Sequence, residues 1–393
     1  MNDDAPYAGL KVIDLSQGVA GPYCAMLLAR HGADVIKIEP PEGGDWSRGL
    51  GPKHGDQTAY SLAANLGKRS VALDLKSPRG KEVLRRLLRG ADVFLQGFRP
   101  GVIERLGFGY EAVREIASSV VYVSISGFGQ RGPLAERPAM DPVLQAYTGL
   151  TNENAGEDGI PHRVPIIAVD MTTALYAFSA VAPALFGRAR TGKGKHIETS
   201  LMQSAAALQV VRMLQYEMEG GAIRPPAAPS GVYKAADGWI NVTVARQHEW
   251  VAFCEAVERP ALAADPRFAT ADLRVDHAEA LRALLRPLLA GRSVADWSDR
   301  FAARRVMHER LNSYAEFLAQ PHVRASGAVS WINHPDVART IPLPNLPGAP
   351  AFATGEVGTI APRLGEHTRE VLAEHGFGAA EIESLAAERV IGV

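Results

Sequence analysis

The chain of 393 residues has very few cysteines and no long uninterrupted apolar run. Its two cysteines, Cys24 and Cys254, are too few for a disulfide framework or a cysteine-based metal site, which favours a reducing, cytoplasmic location. No stretch of about 18 residues is apolar without a charge or a break, and the first segment, MNDDAPYAG, lacks the basic region of a signal peptide. We therefore expect neither a membrane span nor an export signal.

An excess of charge of one sign is also missing. The 42 Lys and Arg residues balance 43 Asp and Glu, so the formal net charge is -1. No overall attraction to nucleic acid or to an anionic membrane surface is expected, and any anion-binding site must be a local cluster. The 11 histidines are scattered without an H-x-x-x-H pair, so no metal site is predicted.

The common nucleotide fingerprints are absent as well. The turn after the first predicted strand reads SQGVAGPYCA and does not supply the G-x-G-x-x-G of a dinucleotide site. A second candidate, GRARTGKG at residues 187–194, ends in Gly194 where a phosphate-binding loop has Ser or Thr, and it follows a predicted helix. We interpret it as a basic turn.

What the sequence does contain is a repeated strand and helix rhythm in its first third. The predicted strands are LKVIDL, ADVIKIE, SVALDL, DVFLQGF and VVYVSIS, and helices are predicted over Pro22–His31 and Pro78–Arg89. Ser77 before Pro78 predicts a helix start with a capping hydroxyl. Such a rhythm is typical of a mostly parallel sheet with helices on both faces, a Rossmann-like α/β architecture.

The pattern changes near residue 170. Helices are predicted from Asp170 toward Gly187, with a kink at Pro183, and over residues 200–219. Proline-rich connectors at 224–231 and 340–350 flank a strand, GWINVTV, and further helices. We therefore predict a large domain over 1–222, completed by the tail 340–393, and a smaller α+β domain over 223–339.

One acidic residue stands out at the start of a predicted helix. In PIIAVDMTTALYAF, residues 165–178, Asp170 follows an apolar run and precedes Met171 and two threonines. This pattern favours a helix N-cap that accepts backbone N–H bonds. The same carboxylate at a dry, positively polarised helix start could also react as a nucleophile. Local pattern alone leaves both roles open.

Several separated stretches together resemble one family, the class III CoA-transferases, also called the CaiB/BaiF family. Each stretch alone is weakly specific, but their order and spacing cover nearly the whole chain. They are VIDLSQGVAGPYCAMLLARHGADVIKIEPPEGGD, NLGKRSVALDL, GFRPGVIERLG, SISGFGQRGP, the Asp170 helix with RTGKGKHIETSLMQSA, DGWINVTV, DPRF and LGEHTREVL.

The resemblance implies a function that the residues alone do not. CoA would move from an acyl-CoA thioester to a small carboxylic acid through an aspartyl anhydride and an aspartyl-CoA thioester on Asp170. The fold would be a large α/β domain with a small middle domain, and two chains would interlock as a homodimer. Coenzyme A would enter as substrate, with no permanently bound cofactor, no metal, and no nucleic-acid or membrane partner.

The resemblance also assigns the remaining site residues. The catalytic set would be Asp170, Asp141 and Tyr60, and the CoA-binding set would be Phe98, Arg105, Arg137, Lys68 and Arg69. The alternatives are ordinary ones: the aromatic residues could be core residues, Arg105 a solvated surface charge, and Lys68 and Arg69 a solvated basic turn.

A racemase that works α to the thioester is the main rival function. That chemistry needs two acid/base groups, and the position expected to contain its histidine is Met140, which cannot transfer a proton. A non-catalytic CoA-binding protein is a further alternative, disfavoured by the intact Asp170. The segment RVMHERLNS differs from the usual family pattern, so the identities of the donor and acceptor acids stay open.

Overall fold

The structure, a computed structural model, describes residues 5–156, 159–221 and 223–392. The chain divides into two compact units: Met1–Val210 together with Gly327–Val393 form the first, and Val211–Ser326 form the second. The predicted boundary after residue 222 lies C-terminal to the division after Val210, and the predicted boundary after residue 339 lies C-terminal to the division after Ser326.

The first unit begins with alternating strands and helices. Its elements up to the end of the fifth strand are β1 (Lys11–Asp14), α1 (Ala20–Arg30), β2 (Asp34–Glu39), α2 (Ala59–Asn65), β3 (Arg69–Leu73), α3 (Pro78–Leu88), β4 (Val93–Gln96), α4 (Val102–Leu106), α5 (Tyr110–Ile116) and β5 (Val121–Ser126). All five strands predicted from the sequence are therefore present.

Further helices and the strand β6 follow. They are α6 (Asp141–Tyr147), α7 (Leu150–Glu153), α8 (Ala168–Thr191), β6 (Lys195–Ser200), α9 (Leu201–Leu208) and α10 (Val210–Met218). The first part of the first unit ends at Val210, so the rest of α10 belongs to the second unit. The predicted helix over 200–219 is thus two helices. Pro183 lies inside α8, which continues past it to Thr191.

The second unit has its own small sheet and core. Its elements are β7 (Ser230–Lys234), β8 (Trp239–Thr243), α11 (Gln247–Ala256), α12 (Ala271–Asp276), α13 (Ala278–Leu289), α14 (Val294–Ala303), β9 (Met307–Arg310), α15 (Tyr314–Ala319) and α16 (Pro321–Ala325). The three strands are antiparallel in the order β7-β8-β9. The unusual segment RVMHERLNS contains β9, the edge strand paired with β8.

The C-terminal residues return to the first unit. They form β10 (Val329–His334), β11 (Val337–Pro344), α17 (Thr368–Glu374), α18 (Ala379–Ala387) and β12 (Ile391–Gly392). In the described part of the chain, seven strands form one sheet in the order β12-β3-β2-β1-β4-β5-β6. All neighbouring pairs are parallel except β12 with β3. The predicted α/β fold with a mostly parallel sheet is confirmed.

Alternate residues of each central strand pack on opposite faces of this sheet. Ile13 of β1 belongs to a buried cluster with α3, α5, α17 and α18, whereas the adjacent Val12 belongs to a cluster with α1, α8 and α9. Because side chains alternate along a strand, a sheet covered on both faces needs apolar residues at consecutive positions. The uninterrupted apolar runs of the sequence supply them.

Helix α8 is central to this packing. By length and apolar composition it could cross a membrane, and within the described residues no other helix meets that test. Its residues Val169, Ala177 and Val181 are fully buried in the cluster that includes β5 and α1. A core helix of a globular unit meets the same test, so the absence of a membrane span stays a prediction.

One predicted helix cap is wrong. Helix α3 begins at Pro78 as expected, but the Ser77 side chain accepts no hydrogen bond from the first turn. Proline already lacks the N–H of the first helical position and fixes its φ. The helix start therefore forms here without the serine hydroxyl.

Candidate active site

A cavity of about 590 Å³ lies at the carboxyl edge of the large sheet. The residues after β1, β4 and β5 line it, together with the 135–143 segment, Asp170 and Leu201. The order of the strands along the sheet reverses between β1 and β4. The loops that follow these two strands therefore run in opposite directions, and a crevice opens between them. The topology of the first unit thus creates the cavity.

The cavity wall is apolar with a few charged groups. Trp46, Phe98, Ile125, Met140, Val143 and Leu201 are among its apolar lining residues. Among the described lining residues, Asp170 is the single acid, and Arg99 and Arg137 are the cations. Neither arginine forms an ion pair with a described carboxylate. A ligand with an apolar part and negatively charged groups suits this composition.

Buried charges fix the loop that follows β1. The Asp14 carboxylate accepts a hydrogen bond from the Ser16 backbone N–H at 2.9 Å, and the Lys37 ammonium donates to the Ser16 carbonyl at 2.5 Å. Lys37 also pairs with Asp45 at 2.8 Å. Since these side chains are almost fully buried, water competes little with their contacts. These buried contacts therefore fix the backbone next to Gln17, which lines the cavity.

Gly18 lets Trp46 reach the cavity. Asp45 accepts hydrogen bonds from the N–H groups of Gly18 at 2.8 Å and Ser47 at 2.9 Å, which joins the two segments. Gly18 has φ +84°, and a Cβ atom there would lie 2.2 Å from the Trp46 ring. Only glycine suits both the backbone conformation and the close approach of the indole.

The basic pair predicted to contact CoA lies away from the cavity. The Lys68 ammonium donates to Asp14 at 2.8 Å, to the Pro22 carbonyl at 2.7 Å and to Asn65 at 2.9 Å, which uses all three of its N–H groups. Burial lowers the pKa of Lys68 to about 8 against the opposing effect of Asp14. Its predicted contact with CoA is not supported, because no donor is left.

Arg69 is engaged in a similar way. Its guanidinium contacts Asp34 and Glu374, each at 2.6 Å, so it links β3 to β2 and to α17. It does not line the cavity. The resemblance placed this arginine in a matched stretch, but the structure gives its side chain a bridging role between elements of the large sheet.

Asp170 is the third residue of α8, and its side chain does not cap the helix. The N-cap is Ile167, and no cap side chain hydrogen-bonds to the first turn. The Asp170 carboxylate is partly buried and lines the cavity. The prediction that Asp170 is the cap is wrong, since its carboxylate points into the cavity and accepts no hydrogen bond from the described residues.

Asp141 caps this helix from outside it. One carboxylate oxygen of Asp141 accepts from the backbone N–H of Val169 at 2.7 Å and of Asp170 at 3.0 Å. Asp141 is itself the first residue of α6 and is 2% exposed. It lies next to the nucleophile candidate in space, but it does not line the cavity.

These surroundings change the acidity of Asp170. Burial disfavours the charged carboxylate, and the negative charge of Asp141 adds to this effect, so the pKa of Asp170 rises to about 7. A strongly raised pKa in a cleft is a common property of groups that react. Asp170 is therefore the chemically distinctive side chain of the cavity.

The other predicted site residues divide into two groups. Phe98 and Arg137 line the cavity, and Met140 lines it too. The Phe98 backbone N–H is fixed by the buried Gln96 side chain at 2.8 Å. Tyr60, partly buried on α2, and Arg105, exposed on α4, are not among the lining residues.

Sequence reasoning missed several cavity residues. Gln17, Arg99 and Trp46 line the cavity but were not predicted. Gln17 and Arg99 lie in the loops that follow β1 and β4, so the rule that ligands bind at the carboxyl ends of parallel strands could have found them. Trp46 lies in a short 3₁₀ turn, and nothing in the local pattern connects that turn to the cavity.

The described residues contain no group of side chains that suits a metal ion. Over 5–156, 159–221 and 223–392, no three His, Cys, Asp or Glu side chains lie together so that they could bind a metal ion. The carboxylates of Asp141 and Asp170 are close, but they form only a pair.

Comparison with known proteins gives a consistent result. The family model described as CoA-transferase family III matches residues 7–368. A mouse succinyl-CoA:glutarate CoA-transferase is 31% identical over 98% of this chain and 90% of its own length. An acetyl-CoA:oxalate CoA-transferase of Acetobacter aceti is 38% identical over 75% of this chain and 77% of its own.

A solved structure extends this similarity to three dimensions. The crystal structure of a CaiB/BaiF family protein from Brucella suis superposes with a TM-score of 0.82 at 31% identity. The match covers 94% of this chain and 99% of that one. Both large and small units are therefore included in the similarity.

Proposed function

The chain belongs to CoA-transferase family III, and we propose that it transfers CoA from an acyl-CoA thioester to a small carboxylic acid through covalent intermediates on Asp170. The observation that carries this proposal is the position of Asp170. It is the single acid among the described lining residues of an apolar cavity, and its pKa is raised to about 7 by burial and by Asp141. A nucleophile with that pKa is both available and reactive near neutral pH.

The proposed first half-reaction forms and consumes an anhydride. An Asp170 carboxylate oxygen attacks the thioester carbonyl carbon, and the C–S bond breaks with its electron pair leaving on the CoA thiolate. The thiolate then attacks the Asp170 carbonyl carbon, which releases the donor acid as a carboxylate and leaves an aspartyl-CoA thioester. The acceptor carboxylate repeats these two steps in reverse order, and Asp170 is regenerated as a free carboxylate.

The apolar wall has a chemical purpose in this scheme. A mixed anhydride hydrolyses readily, so productive transfer requires that water be kept from it. Trp46, Phe98 and Met140 border the cavity that contains Asp170. A carboxylate is also a weak nucleophile, and removing water from around it strengthens it.

CoA would extend from this cavity along the exposed surface. Phe98 and Arg137 support this assignment because they line the cavity, and we add Arg99 as a third candidate on the same grounds. Arg105 does not line the cavity but lies close to its wall. Its guanidinium is near Gly101, where an added Cβ atom would lie 3.0 Å from it, and Gly101 follows the lining residue Pro100. An arginine there suits a phosphate of the nucleotide end.

Tyr60 stays a proposed neighbour of the acyl group. Its helix, α2, has Thr58 as its N-cap residue, and the Thr58 hydroxyl donates to the Ser47 carbonyl at 2.8 Å. Ser47 follows Trp46, which borders the cavity. The start of α2 is therefore tied to one cavity wall, and this supports a position for Tyr60 close to it.

The relatives indicate the class of acid. One acts by name on succinyl-CoA and glutarate, the other on acetyl-CoA and oxalate. We propose small carboxylic acids, dicarboxylic acids included, as donors and acceptors for this chain. The two arginines on the cavity wall, Arg99 and Arg137, are suitable partners for a second carboxylate as well as for a phosphate.

A racemase is the weaker proposal. Deprotonation at the carbon next to the thioester needs a base and an acid on opposite sides of that carbon. Met140 lines the cavity at the position expected for the histidine, and the described lining residues include no His, Tyr, Lys or second carboxylic acid. Asp170 alone does not supply both groups.

We further propose an interlocked homodimer with a Rossmann-like large domain in the cytoplasm. The order β3-β2-β1-β4-β5-β6 supports the Rossmann-like interpretation. Leu175, Tyr176 and Phe186 of α8 are 53%, 45% and 66% exposed, and a second copy of the chain would cover such apolar side chains. Both cysteines are buried and unpaired, which is compatible with a reducing compartment.

The Asp170→Asn variant tests the proposed mechanism. The wild type is incubated with acetyl-CoA or succinyl-CoA and with oxalate, succinate or glutarate, and hydroxylamine is used to trap an activated ester on the peptide that contains AVDMTTAL. We expect transfer and trapping in the wild type and a loss of transfer by about three orders of magnitude or more in Asp170→Asn.

The exposed Asp299, which has no hydrogen-bond or ion-pair partner among the described residues, provides the matched control as Asp299→Asn. It should transfer CoA like the wild type. A well-folded Asp170→Asn protein that transfers CoA at a comparable rate, after deamidation to Asp has been excluded by mass spectrometry, would overturn the proposal.

A further inference from the structure

The start of α8 is fixed by two side chains of another helix, α6. Asp141 accepts from the Val169 and Asp170 N–H groups through one carboxylate oxygen. Its other oxygen accepts from the side-chain amide of Gln145 at 2.6 Å. Asp141 and Gln145 are i and i+4 neighbours, 2% and 1% exposed. The pair forms a buried contact between the two helices.

Gln145 also fixes the segment that leads into α8. Its amide nitrogen donates to the Val164 carbonyl at 3.1 Å, and its amide oxygen accepts from the Val164 N–H at 2.9 Å. Only a side chain with both a donor and an acceptor can pair with the N–H and the C=O of one residue in this way. The backbone is therefore held at Val164 by Gln145 and at Val169 and Asp170 by Asp141.

We infer that Asp141 and Gln145 are positioning residues that fix the first turn of α8, and with it the direction in which the Asp170 carboxylate enters the cavity. This inference rests on the proposed function of Asp170. Neither residue lines the cavity, and the hydrogen-bonding groups of both are used inside the protein. Asp141 therefore does not act on substrate, which replaces the catalytic role that the resemblance suggested.

The arrangement is necessary because α8 has no cap of its own. Ile167, the N-cap residue, has no side-chain acceptor, so the N–H groups of the first turn need a partner elsewhere. Without Asp141 or its support by Gln145, the turn would open or rotate. A displacement of about 1 Å at a reacting group can lower a rate by about 10²-fold.

Asp141 also brings a charge to this position. It accepts three N–H bonds and donates none, which is the behaviour of an ionised carboxylate. Its negative charge lies beside Asp170 and is one reason why that carboxylate holds its proton to a higher pH. The other charged side chains that line the cavity, Arg99 and Arg137, are cations, and the pKa of Asp170 is raised by burial and by Asp141.

Gln145→Met is the principal test. Methionine has a similar volume but removes the amide, so the contacts with Val164 and Asp141 are lost while the charge of Asp141 stays. We expect kcat to fall by about 10- to 100-fold with the KM for acyl-CoA changed less than about twofold. Amide hydrogen exchange should rise in the peptide covering residues 165–172.

Gln209→Met is the matched control. Gln209 is also a buried glutamine, and its amide donates to the Thr148 hydroxyl at 3.1 Å and to the Ala205 carbonyl at 2.9 Å. It contacts the residue that follows α6, far along the chain from the start of α8. It should lose stability like Gln145→Met but keep wild-type kcat and wild-type exchange in 165–172.

Asp141→Asn removes the negative charge and keeps the helix cap. The Asn oxygen can still accept from the helix N–H groups, whereas its amide nitrogen replaces the oxygen that accepts from Gln145, so this contact is lost just as it is in Gln145→Met. The comparison of Asp141→Asn with Gln145→Met therefore isolates the effect of the charge. The acid limb of the kcat/KM profile, which reports ionisation of Asp170, should move to lower pH by about one unit. In Gln145→Met the limb should stay close to its wild-type position, because the charge stays.

The outcomes are distinguishable. Unchanged exchange at 165–172 in Gln145→Met overturns the inference whatever the activity, and so do equal kcat values for Gln145→Met and Gln209→Met. If the wild type transfers no CoA and forms no adduct on Asp170, the proposed function fails. The exchange experiment then still decides whether Asp141 and Gln145 fix the helix start.

Discussion

Asp170→Asn should change the stability of the protein in a pH-dependent manner. In the folded state this carboxylate is deprived of water and lies next to the charge of Asp141, so its pKa rises from the ordinary 3.8 to about 7. In the unfolded chain neither effect exists. Asparagine has nearly the same shape but cannot ionise, so the variant removes the titration and little else.

The sign and size of the effect follow from proton linkage. A group whose pKa is raised by folding stabilises the fold below its unfolded pKa, and that contribution is lost as the pH rises through the folded pKa. Between pH 5 and pH 8 the unfolded chain is already ionised at Asp170, whereas the folded chain loses this proton near pH 7. The wild type should therefore lose about 2 to 3 kcal/mol relative to Asp170→Asn over this interval.

Chemical denaturation measures this difference directly. Unfolding free energies of wild type, Asp170→Asn and Asp299→Asn are compared at pH 5 and pH 8, and the quantity of interest is the change in the difference between variant and wild type. It should favour Asp170→Asn increasingly toward pH 8, whereas the exposed control should keep the wild-type pH dependence. A difference that is the same at both pH values would refute the argument that Asp170 is desolvated and repelled by Asp141.

Two further predictions concern ligand contacts and assembly. Arg137→Ala should raise the KM for acyl-CoA about 10- to 100-fold with a smaller effect on kcat, as expected for loss of a charged contact, and Arg105→Ala should act in the same direction. Steady-state kinetics with varied acyl-CoA measure both effects. An unchanged KM would make the residue concerned an ordinary surface charge. Sedimentation at low protein concentration should find no folded monomer, because interlocked chains cannot separate without unfolding; a folded, active species of 42.1 kDa, the mass of one chain, would exclude the interlocked homodimer.

The sheet was predictable from the sequence because its physical signal is local. Each of the five predicted strands is a short apolar run bounded by turn residues. In β1, Val12 is buried on one face of the sheet and Ile13 on the other. Burial on two faces leaves a continuous apolar run in the sequence. The helices between the strands then follow from their 3.6-residue periodicity and from residues such as Pro78 at the start of α3.

The capping of α8 was not predictable in this way. An Asp before two threonines at a helix start has the local pattern of an N-cap, yet the acceptor is Asp141, which lies 28 positions before Val169. A tertiary cap leaves no pattern near the helix it serves. The buried Lys68 is a similar case, because a basic pair in a turn looks solvated unless its partner Asp14 is known to lie beside it.

The role that the family resemblance gives to Asp170 stays a prediction that agrees with the position of Asp170 in the cavity wall, but the resemblance did not distinguish contact from support. It grouped Asp141 with Asp170 in a catalytic set and grouped Lys68 with Arg137 in a CoA-binding set. Of these residues, Asp170 and Arg137 line the cavity, whereas Asp141 and Lys68 are buried with all their hydrogen bonds made inside the protein. Residues that support a site and residues that touch the ligand can be equally characteristic of a family.

The separation of the two carboxylates has a chemical consequence. If Asp170 accepted the N–H bonds of the first turn, those bonds would stabilise its charged form and make it a weaker nucleophile. Because Asp141 accepts them instead, the helix start is satisfied by one carboxylate while the other is left without hydrogen bonds in an apolar cavity. The negative charge of Asp141 then opposes ionisation of Asp170 and raises its basicity. The cap of α8 and the proposed reactivity of Asp170, its third residue, are therefore parts of one arrangement, and exchanging the two roles would lose both.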